Sequence, residues 1–311
     1  MKTVLNILVI SFGFLFYSAV IQADDTLTNI LKISTDKEQQ RLFVQAEKLV
    51  YKSNSRQYKT LYNQLHYYAL QPYLDQRRLL DKMRLSDASE IAKFLEKHEN
   101  SPLDWPLRKA WLKYLAKRNE GLLFLQFFKT TSNVTLTCQK HKFSLAAGTP
   151  ENEVLPEITA LWLVGKSQDK SCDSLFERWQ KAGYRTNEAI WERITLAGDG
   201  GKHTLLPYLT KLLPEEEQYL GKLWHKVRRD PALVSRLNNF PKKSLKESQI
   251  FTYGIKRLVW RDPNRALKAY QKAQKTFNFS AQQQQQIQER FALALANKNH
   301  KSAKHWLDML A

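Results

Sequence analysis

Cysteine, glycine and histidine are all scarce in this 311-residue chain, at two, ten and seven residues, and each scarcity removes a class of chemistry. Cys138 and Cys172 form no Cys-x-x-Cys pair, so the usual signature of a thiolate metal site is missing. The histidines include no His-Glu-x-x-His; His300 and His305 are five apart, on different faces of any helix, and no zinc site is expected. No Gly-x-Ser-x-Gly nucleophile elbow occurs. Gly165-Lys166-Ser167 matches the end of a phosphate-binding loop, but the glycine that loop needs earlier is Ala160. No cofactor is called for. Alternating strand patterns are nearly absent, and after the first two dozen residues no run is long and apolar enough to span a membrane.

The N-terminus has the three parts of a secretory leader. Lys2 supplies the positive charge, Val4 to Val20 is almost wholly apolar, and Ala23 is a small residue at the cut site. Asp24-Asp25 follows at once. A retained membrane anchor is the competing reading, since the run approaches the ~20 residues of a spanning helix. Ala23 and its acidic flank favour cleavage. Residues 1–23 are therefore expected to be a signal peptide, and the mature chain to be soluble and exported.

Lysine and arginine number 49 against 30 acidic residues, and the leader removes only Lys2. Such a surplus favours an acidic partner. Behind a signal peptide the polyanions are peptidoglycan, teichoic or lipid phosphates and extracellular DNA. The charges are scattered along the chain without a concentrated basic stripe, which discourages nucleic-acid binding. Two cysteines in an exported chain read as a disulfide. Two free thiols or half of a metal site beside His141 are the alternatives.

Helical spacing recurs from end to end. Leu42, Ala46, Leu49 and Val50 share a face, as do Ile91, Phe94 and Leu95, and Leu107, Trp111, Tyr114 and Leu115. Further faces are expected at Leu161, Trp162 and Leu163, at Ile190, Ile194 and Leu196, and at Ile287, Phe291, Leu293 and Leu295. Glycines at 121, 148, 165, 183 and 198–201 mark turns between short helices. Asp230-Pro231 and Asp262-Pro263, 32 residues apart, both read as an N-cap followed by proline at the first helical position. The run Gln282–Gln286 reads as an exposed helix turn. An amphipathic helix at His305–Ala311 closes the chain without a polar cap, which for a stack of helix pairs reads as an interruption. The expected architecture is all-α, a stack of short helix pairs forming one scaffold domain over 24–311.

Two stretches carry a resemblance. Tyr68-Ala69-Leu70-Gln71-Pro72-Tyr73-Leu74-Asp75-Gln76-Arg77 resembles a segment near the start of the soluble lytic murein transglycosylases, with Gln71 and Gln76 as departures. Ala160-Leu161-Trp162-Leu163-Val164-Gly165-Lys166-Ser167, followed by Cys172-Asp173, Phe176 and Trp179, is similar to a second motif of that family. Cys138 sits where the family places the disulfide partner of Cys172. The resemblance implies a right-handed α-superhelix, ring-like or curved, in the periplasm. Within it Pro72, Tyr73, Leu74, Trp162, Gly165, Ser167, Asp173, Phe176 and Trp179 would be structural, Trp162 filling the core between helices and Gly165 ending a helix. A sugar platform is the lesser role for Trp162.

Complete family members cleave the β-1,4 bond between N-acetylmuramic acid and N-acetylglucosamine and leave a 1,6-anhydro product. That chemistry needs a carboxylic acid beside the glycosidic oxygen, with its pKa raised by an apolar pocket. The family carries it in a Glu-Ser-x-Phe motif. Here Glu247-Ser248-Gln249-Ile250-Phe251 has one residue too many, and Glu247 is expected to be a solvated helix residue. No catalytic residue is assigned. The implied function is a scaffold bound to peptidoglycan strands, with cell-wall enzymes as further partners. A periplasmic helical-repeat adaptor for proteins is the alternative.

Overall fold

In a computed structural model, residues 36–310 are described; the leader expected at 1–23 lies outside the described residues. Every regular element among them is helical, and no strand occurs among the described residues. The chain divides into two compact units, one ending at Lys129 and one beginning at Thr130. The sequence pattern alone gives no sign of that boundary within 24–311.

The first unit contains α1 (36–49), α2 (Arg56–Gln64), α3 (Gln71–Asp81), α4 (Ala88–Lys97), α5 (Asp104–Lys117) and α6 (Gly121–Phe127). Its faces follow the helical period: Ala46, Val50, Leu61, Leu65 and Leu74 form one buried cluster, with Leu42 and Leu49 packed against it. Leu107, Trp111 and Leu115 of α5 are fully buried, and Tyr114 stacks on Trp111 at 5.2 Å. Each such side chain contributes roughly 1.5–3 kcal/mol through burial. Arg108 and Asp104 form a buried pair, Nε to Oδ1 at 2.6 Å, and Arg108 Nη1 donates to the Phe127 carbonyl at 3.0 Å. The pair thus ties the start of α5 to the end of α6.

The two departures from the family-like first motif are also accounted for locally. Gln71 Nε2 donates to the Tyr62 carbonyl at 3.1 Å, and buried Gln76 Nε2 to the Leu103 carbonyl at 2.7 Å. Both glutamines thereby tie α3 to backbone carbonyls outside it, one at the end of α2 and one just before α5.

The second unit contains α7 (Val134–Ala146), α8 (Glu151–Trp162), α9 (Asp173–Lys181), α10 (Asn187–Gly198), α11 (Leu206–Leu212) and α12 (Gln218–Arg229). It continues with α13 (Leu245–Arg261), α14 (Pro263–Ala273), α15 (Ala281–Asn297) and α16 (Ala303–Asp308). One contiguous core runs from Cys138 to Trp306. Cys138 on α7 is bonded to Cys172, in the 3-10 turn before α9, with Cα atoms 5.2 Å apart and both residues fully buried. No free cysteine remains. His141, one turn along α7, is buried, and desolvation first, then Lys140, holds its pKa below the usual imidazole value.

Several expectations need correcting. Leu196 and Leu293 are exposed, because each sits two residues from its buried neighbours Ile194 and Leu295, across the helix from their face. Asp230 accepts from Ala232 N at 3.0 Å, but the element it caps is the 3-10 turn Pro231–Ser235; only Asp262, accepting from Arg265 N at 3.0 Å, starts an α-helix. The two starts meet in space, since Arg265 Nε donates to Ser235 Oγ at 2.9 Å. His300 lies in the turn before α16, where its ring bonds Asn264 and Ser302. Glu247 is fully buried, not solvated. Its carboxylate accepts from the Lys242 and Ser244 amides at 3.3 and 3.2 Å and closes a capping box with Ser244.

The bridge closes a loop with a sequence separation of 34. Replacing both cysteines by serine is expected to destabilise the second unit by about 3–4 kcal/mol, read as a lower denaturant midpoint. A midpoint unmoved by substitution or by reduction would contradict that role.

Candidate functional site

The second family-like motif folds into a closed interlock. Trp162, the last residue of α8, lies against Trp179 of α9 with ring centroids 5.0 Å apart, and Trp179 Nε1 donates to Thr159 Oγ1 at 2.9 Å. The Arg193 guanidinium covers Trp162 at 4.5 Å and its Nη2 donates to the Lys166 carbonyl at 3.2 Å. Trp162 is 5% exposed, so no face of the indole is open to a sugar. Asp173 opens α9, where a carboxylate suits the helix N-terminus, and Phe176 packs against the core. Ser167 is exposed.

Gly165 is where two backbones meet. A Cβ there would stand 2.7 Å from the Leu196 carbonyl carbon and overlap its oxygen outright. The Gly165 carbonyl in turn accepts from Lys202 N at 2.6 Å. Only a residue without a side chain lets the turn after α8 lie on the end of α10. Gly198, on the same end, brings α10 onto Trp224 of α12: a Cβ would stand 2.6 Å from Trp224 Cδ1. From there an aromatic column runs through Trp191, Trp224 and Tyr253, with centroid spacings of 5.6 and 5.4 Å.

In the first unit Pro72 lies in the first turn of α3, Leu74 is buried and Tyr73 is partly exposed. The neighbouring Asp75 has the more notable environment. Tyr62 donates to both its carboxylate oxygens at 2.9 and 2.8 Å, and Arg78 pairs with Glu90 beside it. Burial pushes the Asp75 carboxyl up and the Tyr62 phenol well above its ordinary value, and raises Tyr58 to about 12. Since Asp75 is already bonded to Tyr62, the group is a local network that joins α2, α3 and α4.

The aromatic column of the second unit ends at a cleft. A cavity of about 330 Å³ is lined by Asp199, Gln249, Thr252, Tyr253, Lys256 and Gln286 among others. It adjoins a second of about 450 Å³ that shares Asp199, Tyr253 and Lys256 and adds Arg257, Trp260, Arg261 and Arg290. The basic charge is therefore not wholly scattered: four cations surround one carboxylate here. The sequence reading missed this, because the lining spans nearly a hundred residues of chain. Gln283 and Gln286, inside the run read as exposed, are half-buried and turn toward the cavity. No group of His, Cys, Asp and Glu among the described residues could hold a metal ion, and no described helix is long and apolar enough to cross a membrane.

No family model matches the chain. It is 28% identical over 165 residues to the soluble lytic murein transglycosylase of Salmonella typhimurium, covering 53% of this chain and 25% of that protein. Against the soluble lytic murein transglycosylase of Escherichia coli it is 28% identical over 173 residues, 55% of this chain and 25% of the relative. The chain thus spans about a quarter of the length of these curated relatives. Its fold is similar to that of an inactive mutant of the lytic transglycosylase Slt from Pseudomonas aeruginosa, with TM-score 0.73 and 29% identity over 86% of this chain and 44% of that one. The 70-kDa soluble lytic transglycosylase of Escherichia coli gives TM-score 0.68 at 22% identity, over 88% and 44%. In sequence and in all-α fold the chain resembles the soluble lytic murein transglycosylases.

Gly165→Ala is expected to lower stability by about 1–3 kcal/mol through overpacking against the Leu196 carbonyl. Denaturant unfolding measures it; an unchanged midpoint would mean that the two backbones can part without cost.

Proposed function

We propose that this chain is the helical scaffold of a protein of the soluble lytic transglycosylase type, working in the periplasm, and that it holds peptidoglycan without cutting it. The observation that carries the proposal is the joint likeness in sequence and fold to enzymes named for acting on murein. The leader pattern at residues 1–23, the paired cysteines and the excess of 49 basic over 30 acidic residues all agree with an exported protein facing an anionic wall polymer. The structural residues of the two motifs would keep the scaffold in shape: Pro72, Tyr73 and Leu74 in the first unit, and Trp162, Gly165, Ser167, Asp173, Phe176 and Trp179 in the second.

The lack of cleavage is argued from Glu247. A general acid must reach the glycosidic oxygen. Glu247 is the one glutamate set in a sequence like the family's catalytic motif, and its oxygens are engaged by backbone amides inside a capping box.

The mature protein is expected to co-sediment with purified murein sacculi, with binding that weakens as salt rises, and to release no anhydro-muropeptides. Steady release of such products would overturn the scaffold reading. Failure to sediment, together with stable capture of a protein partner, would replace it with the adaptor reading.

A further inference from the structure

The two adjoining cavities of the second unit present an unusual excess of hydrogen-bond donors. The Gln249 amide oxygen is taken by Trp191 Nε1 at 2.5 Å, and the Gln286 amide oxygen by Lys256 Nζ at 3.1 Å. Each bond fixes the orientation of its amide and leaves the –NH2 end without a partner among the described residues. Tyr253, which lines both cavities, is 4% exposed, and its hydroxyl has no hydrogen-bond partner among the described residues.

The charged rim has the same character. Arg257, Arg261 and Arg290 line the second cavity, all exposed, and none has a carboxylate within ion-pair distance among the described residues. Arg257 lies over the Tyr253 ring at 5.5 Å. The single acid, Asp199, stands 3.9 Å from Lys256. Trp260, 37% exposed, offers an indole face at the same rim.

Donors inside, cations at the rim and an open aromatic beside them specify a ligand rich in acceptors: neutral carbonyls at one end and carboxylate at the other, with an apolar ring face between. Resting on the murein reading above, we propose that this cleft binds a carboxylate-bearing, N-acylated amino-sugar unit. Its acetamido or peptide carbonyls would meet Gln249, Gln286 and Tyr253. Its carboxylate, whether of the lactyl ether or of a peptide stem, would meet Arg261 and Arg290. A sugar ring would lie on Trp260.

Binding is measured by calorimetry with three probes: a disaccharide–tetrapeptide cut from sacculi with a muramidase, the same disaccharide without its peptide, and an uncharged N-acetylglucosamine tetramer. Sacculus co-sedimentation is run in parallel. The carboxylate-bearing probes should bind at least about ten-fold more tightly than the uncharged tetramer, and Arg261→Ala with Arg290→Ala should remove that advantage, since each charge-assisted hydrogen bond is worth about a ten-fold change or more. The two charged probes separate lactyl from stem recognition. Lys268→Ala with Lys272→Ala, on the exposed face of α14, removes equal charge outside the cleft and should leave binding within two-fold, roughly the effect of distant, screened charges. Equal binding of the uncharged tetramer, or equal loss in the α14 control, overturns the proposal. Sedimentation with sacculi but no binding of either charged probe overturns the cleft alone; failure to sediment overturns the murein reading beneath it.

Discussion

The contact on which the second unit depends is the approach of bare backbone at Gly165 to the end of α10. It is small in area, yet it decides whether the turn after α8 can lie on Leu196 at all. Around it the larger energies accumulate. The Trp162–Trp179 pair sits beneath Arg193, and the buried disulfide holds α7 to the start of α9. Gly198 then repeats the device one helix on, so that α10 meets α12 through an indole face, not a side chain of its own. An alanine would gain about 1 kcal/mol in helix propensity at that position. The overlap with Trp224 argues that packing, not propensity, sets the residue.

This chain of contacts links scaffold to surface. Trp191, Trp224 and Tyr253 lead from the interlock to the cleft, and the ring at the cleft wall is held in place by the rings behind it. Lys256, Arg257 and Arg261 all come after Tyr253 on α13 and reach the cleft from one rigid helix. A site on a packed helix loses little freedom on binding, which suits the glycan recognition proposed above.

Much of this was legible in the sequence because helical periodicity is a local signal. The faces at Leu107, Trp111 and Leu115, and at Ile190 and Ile194, bury as their spacing requires. The errors at Leu196 and Leu293 came from extending a face by two residues, a step that crosses a helix. Asp230-Pro231 shows the limit of capping signals: the aspartate caps as its side chain dictates, but the element it opens is a 3-10 turn. Glu247 shows another limit, since the capping box that buries it depends on the path of the chain from Lys242. The cleft was out of reach. Its lining is drawn from α10, α12, α13 and α15, and no local pattern reports that Gln286 faces Lys256 or that Arg290 lines the same cavity as Arg261.

Hydrogen exchange of Gly198→Ala beside the parent chain tests most directly the claim that close backbone approaches hold the cleft in shape. The account predicts faster exchange at the end of α10, along α12 about Trp224 and in α13 about Tyr253, with the helices of the first unit unchanged. Faster exchange confined to the few residues around Gly198, with α12 and α13 as protected as before, would contradict it.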